Sequence, residues 1–347
     1  MDVLKALGVM AIILAHSDPP PAVGAFVSTY YIAVFFFVSG YFYNEAYSDK
    51  LALLARKRLA SLYVPFVTWN LAYLALNNAF FALNIYSSRA GYLDQVGAQI
   101  SLGSMARTGL KIVGLSATVE MAGALWFLIS LMTAIALFAL ASWTSRRIGW
   151  RPELVRATIV LILFALGYLN MPWLTWPAFI NTSLVGVLLL YGGLLFRRFE
   201  SRMPMNAIAA IGAATVVAFG GGTVNMGANQ YTGPLVLVVV VAAGIYANLF
   251  VAHRLNGSRV LNYLGRNTIF VVATHFLAFK VASLAYIQIN GSPAYMLAKF
   301  PVISGGGGWW IAYFACGLLL PMGAKRAYDW IAARIGGQDP RTGIAMS

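Results

Sequence analysis

Residues Gly123 to Trp143 read GALWFLISLMTAIALFALASW, 21 positions without a charged side chain, and Arg146, Arg147 and Arg151 follow at once. As an α-helix this stretch rises about 31 Å at 1.5 Å per residue. That matches the roughly 30 Å hydrocarbon core of a bilayer. Polar and apolar residues do not alternate along it, as they would in a transmembrane strand. It reads as a spanning helix whose arginine-rich end faces the cytoplasm.

Similar apolar runs lie on both sides. Together they are about Val3–Ala15, Ser28–Tyr43, Leu62–Leu83, Gly123–Trp143, Ala157–Met171, Ala178–Phe196, Met205–Gly220, Gly233–Val251, Thr268–Ile289 and Gly306–Ala324. The expected fold is an all-α integral membrane protein, a single bundle of about ten transmembrane helices. Composition agrees. The chain has 347 residues, 60% of them hydrophobic and 10% charged. A soluble domain carries about 25% charged residues, so a soluble globule and a disordered chain are both excluded.

Loop charge orients the bundle. With the N-terminus inside, Lys50 and Arg56–Arg58, Arg146–Arg151, Arg197–Arg202, Arg254–Arg266 and the tail from Lys325 to Arg341 all fall on the cytoplasmic side. Arg89, Arg107, Lys111 and Lys299 fall outside. This asymmetry places both termini in the cytoplasm. It also accounts for the net charge of +14 without nucleic acid. The first span admits a second reading as a signal peptide, with Lys5, an apolar core and small residues at Ala22–Ala25; a retained helix is the preferred one. The long outside loop, about Asn84 to Ala122, is expected to carry its own short helix or a function. The membrane domain is expected over residues 2–327, with a cytoplasmic tail over 328–347.

Polar residues inside spans are costly and mark candidate sites. Lys5 and His16 are eleven residues apart, so they share one face of the first helix, about 16 Å apart along its axis. Asp2 lies one turn before Lys5. A basic group near the inner surface suits an anionic cofactor, and a deeper His suits chemistry on the group it delivers. Ser39-Gly40 in the second span reads as a close-packing point, with Phe35–Phe37 beside it reading as lipid-facing. Arg56-Lys57-Arg58 can be topogenic or can bind phosphates. Trp126 sits at an interface position. Arg266 and Asn267 precede the ninth span, which carries His275 and Lys280 on different faces. Asp18, two residues after His16, is a candidate to orient it. Other chemistries lack support. No intramembrane carboxylate pair suits glycoside hydrolysis. Three scattered His and the lone Cys316 give no metal spacing, and no Gly-Lys-Ser/Thr loop cradles a phosphate.

These pieces occur in one order: Asp2-Val3-Leu4-Lys5, His16, Phe35 to Gly40, the basic cluster before Pro65, Leu125-Trp126-Phe127-Leu128, and Leu264-Gly265-Arg266-Asn267-Thr268 leading to His275. That order resembles the acyltransferase-3 family of polytopic membrane acyltransferases. It is most similar to the fucose 4-O-acetylase branch, as is the segment from Val224 through Tyr231 to His275. The resemblance covers about Asp2 to Ala327. It implies an acyl-CoA co-substrate, by default acetyl-CoA, and no permanently bound cofactor. It implies transfer to a hydroxyl of an exported or lipid-linked glycan, in a bacterial inner membrane. Lys5 and His16 fall on the family's basic-residue-then-His signature. His16 is then base or acyl carrier, and Lys5 with Arg56, Lys57 and Arg58 holds CoA phosphates. His275 and Asn267 shape or polarise the site, with Asp2, Ser39, Trp126 and Arg266 in support. A second Arg frequent near Pro65 is Ser61 here, while Thr268 keeps a hydroxyl where Ser is frequent. The competing reading is a glycan or small-molecule exporter without covalent chemistry; no internal repeat supports it.

Overall fold

The computed structural model describes residues 1–91, 97–220, 222–305 and 307–335. The expected tail from 336 to 347, with Arg341, and Asp94 of the long loop lie outside these residues. In chain order the α-helices are α1 (Asp2–His16), α2 (Pro21–Ser28), α3 (Ala33–Tyr41), α4 (Leu51–Arg58), α5 (Val64–Ala75), α6 (Asn77–Ala82), α7 (Leu102–Val113), α8 (Trp126–Ile148), α9 (Pro152–Tyr168), α10 (Ile180–Phe199), α11 (Ala207–Phe219), α12 (Pro234–Arg254), α13 (Arg259–Arg266), α14 (Thr268–Asn290) and α15 (Trp309–Ile335). Two short strands, β1 (Val224–Asn225) and β2 (Gln230–Tyr231), pair antiparallel between α11 and α12.

Local chemistry sets the ends of these helices. Pro occupies the first turn of α2, α9 and α12, where its missing N–H is no loss. Ser101, Asn206 and Ser258 cap α7, α11 and α13 by accepting from backbone N–H groups three residues on. Gly149 closes α8 with φ 73°, a left-handed conformation that glycine adopts without strain.

Five helical stretches are long and apolar enough to cross a membrane: Pro21–Tyr41, Glu120–Ile148, Ile180–Arg202, Pro234–Arg254 and Thr268–Asn290. Three of the other expected spans are shorter. α1 has 15 residues, α9 has 17 and α11 has 13. Fifteen residues rise only about 22 Å. The stretch expected as one span, Leu62–Leu83, is divided: a π-helical turn at Leu59–Tyr63, then α5, then α6 after Leu76. Asn78 explains the division. Its amide donates to the Ile100 carbonyl (3.0 Å) and accepts from the Ile100 N–H (2.9 Å), tying the chain to the long loop. That loop carries α7. α15 continues past residue 327 to Ile335.

α1 lies at the centre, in contact with α2, α3, α12, α13, α14 and α15. α3 crosses α10 at close range. A Cβ on Gly40 would fall 1.8 Å from the Leu190 carbonyl oxygen, and one on Gly193 would fall 1.9 Å from that of Phe37. Small residues at such crossings let backbones approach. Phe35, Phe36 and Phe37 are therefore buried against neighbours rather than facing lipid.

Candidate active site

The site begins at the start of α1. A Cβ on Gly265 would sit 1.9 Å from the Asp2 carbonyl oxygen, so only glycine lets α13 lie against α1 here. This packing brings Arg266 Nε within 3.2 Å of the Asp2 carboxylate, which also pairs with Lys5 Nζ at 2.8 Å. Two cations face one carboxylate; Lys5 and Asp2 are partly exposed and Arg266 is exposed. The cluster keeps a surplus positive charge at the helix end.

At the other end of α1, His16 meets His275 across 259 residues of sequence. His16 Nδ1 lies 3.2 Å from His275 Nε2, and the rings stack with centroids 5.3 Å apart. His16 is half-buried and His275 fully buried. Hydrogen-bond chemistry orders the pair. His275 Nδ1 is 2.7 Å from the Val272 carbonyl. A carbonyl only accepts, so this nitrogen carries the proton. Neutral His275 then presents Nε2 as an acceptor. His16 Nδ1 donates to it, which leaves the lone pair of neutral His16 on Nε2. An imidazole held in this way can serve as a base or nucleophile, with an acceptor beside the imidazolium that would form.

An aromatic wall fixes the pair. The Phe276 ring lies 4.0 Å from that of His275 and 5.0 Å from that of His16. Phe300 packs on Phe276 at 4.5 Å. Lys280, only 3% exposed, donates to the Leu297 carbonyl (3.0 Å) and the Lys299 carbonyl (2.8 Å), with its ammonium 5.7 Å from the Phe300 ring centroid. A buried ammonium thus ties the segment that carries Phe300 to α14. Sequence spacing put Lys280 off the His275 face, and it acts instead on the loop behind that face.

A family profile for an acyltransferase domain matches residues 1–325. The chain belongs to the acyltransferase-3 family. No curated protein and no solved structure matches it.

The remaining expected residues of this acyltransferase are distributed as follows. Arg56, Lys57 and Arg58 form a separate group on α4, which packs on the Glu45–Ser48 turn, the following π-turn and α8. Lys57 donates to the Tyr47 hydroxyl at 2.6 Å. Arg58 is partly buried, and its Nε has no hydrogen-bond partner among the described residues. Burial holds its pKa below the ordinary arginine value. Asn267 is the joint between α13 and α14, where its amide donates to the Tyr263 carbonyl at 2.9 Å. This bond ties the joint to the last turn of α13. Ser39 lies one turn beyond Phe35, the ring that faces Gly8. Trp126 packs on Phe179 at 5.0 Å and against Gly227 of the hairpin loop. Asp18 does not orient His16; its carboxylate accepts from the Gly305 N–H at 3.0 Å. No group of metal-ligating side chains occurs among the described residues.

A second charged cluster escaped the sequence reading. Glu45 meets Arg146 (3.2 Å), Arg156 (3.7 Å) and Arg198, and Glu153 meets Arg156 and Arg198. Asp49 completes it on Arg146 at 2.7 Å. The Arg156 side chain is 3% exposed. Burial raises the Glu45 pKa, but the Arg198 and Arg156 guanidiniums outweigh it and hold the carboxyl below its ordinary value. The only sequence signal was an unpaired Glu in a basic loop.

Proposed function

We propose that this acyltransferase moves an acyl group, acetyl by default, from cytoplasmic acyl-CoA to a hydroxyl of a cell-envelope or exported glycan. The observation that carries this reading is the His16–His275 pair, on the same helix as Lys5. The acceptor hydroxyl gives its proton to His16 Nε2 as its oxygen attacks the thioester carbonyl. The C–S bond breaks, and the proton returns to the departing CoA thiolate. The same lone pair also suits a route in which His16 first carries the acyl group. In either route the imidazolium is stabilised through Nδ1 by His275. Lys5 and Arg266 offer charge for the phosphates of the donor, and Arg56–Arg58 offer a second basic patch. The bundle spans the bacterial inner membrane about ten times with both termini in the cytoplasm, the orientation that the basic loops support.

The test is purified protein in nanodiscs with radiolabelled acetyl-CoA and extracted envelope glycans. The expected result is CoA release with label entering the glycan as an alkali-labile ester. CoA binding without any transfer, over a broad acceptor pool, would overturn the reading.

A further inference from the structure

A cavity of about 300 Å³ lies between α2 and the β1–β2 hairpin. Ser28, Tyr31, Thr223 and Asn225 supply its polar wall, and Ala25 forms part of its rim. Three features bear on what it holds.

The first is hydrogen-bonding capacity left unused. The Tyr31 hydroxyl has no partner among the described residues, although the residue is half-buried. Ser28 Oγ donates to the Gly24 carbonyl at 2.6 Å, which leaves its lone pairs free. Asn225, exposed at the cavity mouth, accepts through Oδ1 from the Ala228 N–H at 3.0 Å, which leaves its amide protons to water or a ligand. This set both donates and accepts, as a polyol requires. It carries no charge, so it suits neither a phosphate nor an amine.

The second is the backbone. Within the apolar stretch Pro21–Tyr41 the helix gives way to a turn at Thr29–Ile32. Thr29 and Ile32 keep right-handed torsions, so the helix is loosened and not reversed. Irregular backbone at membrane depth is tolerated where it is buried in protein or lines a polar cavity, and interrupted helices recur at membrane substrate sites. Tyr31 stands within this turn.

The third is position. α2 begins five residues after His16. The hairpin joins α11 to α12 at the end of α12 away from Arg254 and Arg266. Gly227 of the hairpin loop faces Trp126, which directly follows the Glu120–Leu125 turn. Gly123 of that turn faces Phe276, the ring against both histidines. The hairpin is therefore linked to the ring beside the histidines through the segment from Glu120 to Trp126. The volume is at the small end for ligand sites, about 300 Å³, which fits one sugar residue and not a CoA.

We propose that this cavity is an acceptor subsite that takes a single neutral hexose residue of the glycan. The proposal rests on the acyltransfer reading. The experiment is saturation-transfer NMR on the full chain in nanodiscs, with methyl α-glucoside, methyl α-galactoside and methyl α-fucoside as probes and glucuronate as the charged control. Wild type, His16→Ala, Tyr31→Phe and Ala25→Phe are compared, each with a thermal unfolding curve. Expected is a signal from at least one neutral glycoside in wild type and in His16→Ala, weakened about fivefold in Tyr31→Phe and abolished in Ala25→Phe. No signal from any neutral glycoside, or one that Tyr31→Phe and Ala25→Phe leave unchanged in folded protein, overturns the subsite. Label transfer from acetyl-CoA is followed in parallel. Binding without transfer overturns the acyltransfer reading and leaves the cavity a sugar site. Transfer with an acceptor KM indifferent to both cavity variants removes the subsite and leaves the reading.

Discussion

Glu45, Asp49 and Glu153 meet Arg146, Arg156 and Arg198 in one cluster, three acids against three arginines. Asp2 meets Lys5 and Arg266 in another, one acid against two cations. The first joins the chain after α3 to the ends of α8, α9 and α10, and its charges neutralise one another. The second sits where α1 begins, beside α13, and retains positive charge. Both arise from basic segments that look alike in sequence. A lysine or arginine at a helix end is thus a candidate phosphate ligand where the carboxylates beside it do not balance its charge. Arg146, Arg156 and Arg198 build a clasp; Lys5, Arg266 and Arg56 remain available to an anionic donor.

Variants can break or sharpen this contrast. The largest effect is expected at the end of α1 that neither cluster touches: His16→Ala should lower transfer about 100- to 10,000-fold, the usual contribution of a general base. His275→Phe keeps a ring but removes the acceptor of the His16 proton, and should cost about 10- to 100-fold, as loss of an orienting partner does. Steady-state transfer assays on folded protein check both. Lys5→Ala should come next, raising the KM for acetyl-CoA about tenfold with little change in thermal stability, since a partly exposed i,i+3 ion pair contributes under about 1 kcal/mol.

Arg156→Met should do the reverse. It removes one of three cations from Glu45 and one of two from Glu153, and because both carboxylates are partly exposed and keep Arg198 the loss should be roughly 2 kcal/mol, below the full value for a buried pair. The KM for acetyl-CoA should hold. Denaturation of the purified protein against a donor titration separates the two variants. The smallest effect is one of pH. Glu45 has a lowered pKa, so its contribution is complete above the ordinary carboxylate value of about 4 and is lost as pH falls through the lower folded value. Thermal stability should therefore fall in acid, and Glu45→Gln should flatten that part of the profile.

The strongest spans were legible because a continuous apolar run such as Gly123–Trp143 has one reading. Lys5 and His16 were legible because eleven residues return a helix to the same face. Asp2 was legible beside Lys5 from the same helical period; the contact between His16 and His275 was not. His275 reaches His16 only through the packing of α14 on α1, and no local period encodes a contact 259 residues apart. Lys280 looked misplaced because spacing describes a single helix, whereas its ammonium serves the loop from Leu297 to Phe300. The break after Leu76 was marked by Asn77-Asn78, but an amide pair in an apolar run gains meaning only once Ile100 is known to bind it. Asn225 and Tyr31 carried no signal of a cavity, since its two walls come from opposite halves of the chain.

One measurement tests the central claim most directly: transfer of radiolabel from acetyl-CoA to envelope glycans by wild type, His16→Ala and Arg156→Met, each corrected for folded fraction. Full transfer per folded molecule is expected in Arg156→Met, and transfer lowered at least about 100-fold in His16→Ala. Transfer by His16→Ala at the wild-type rate would contradict that claim.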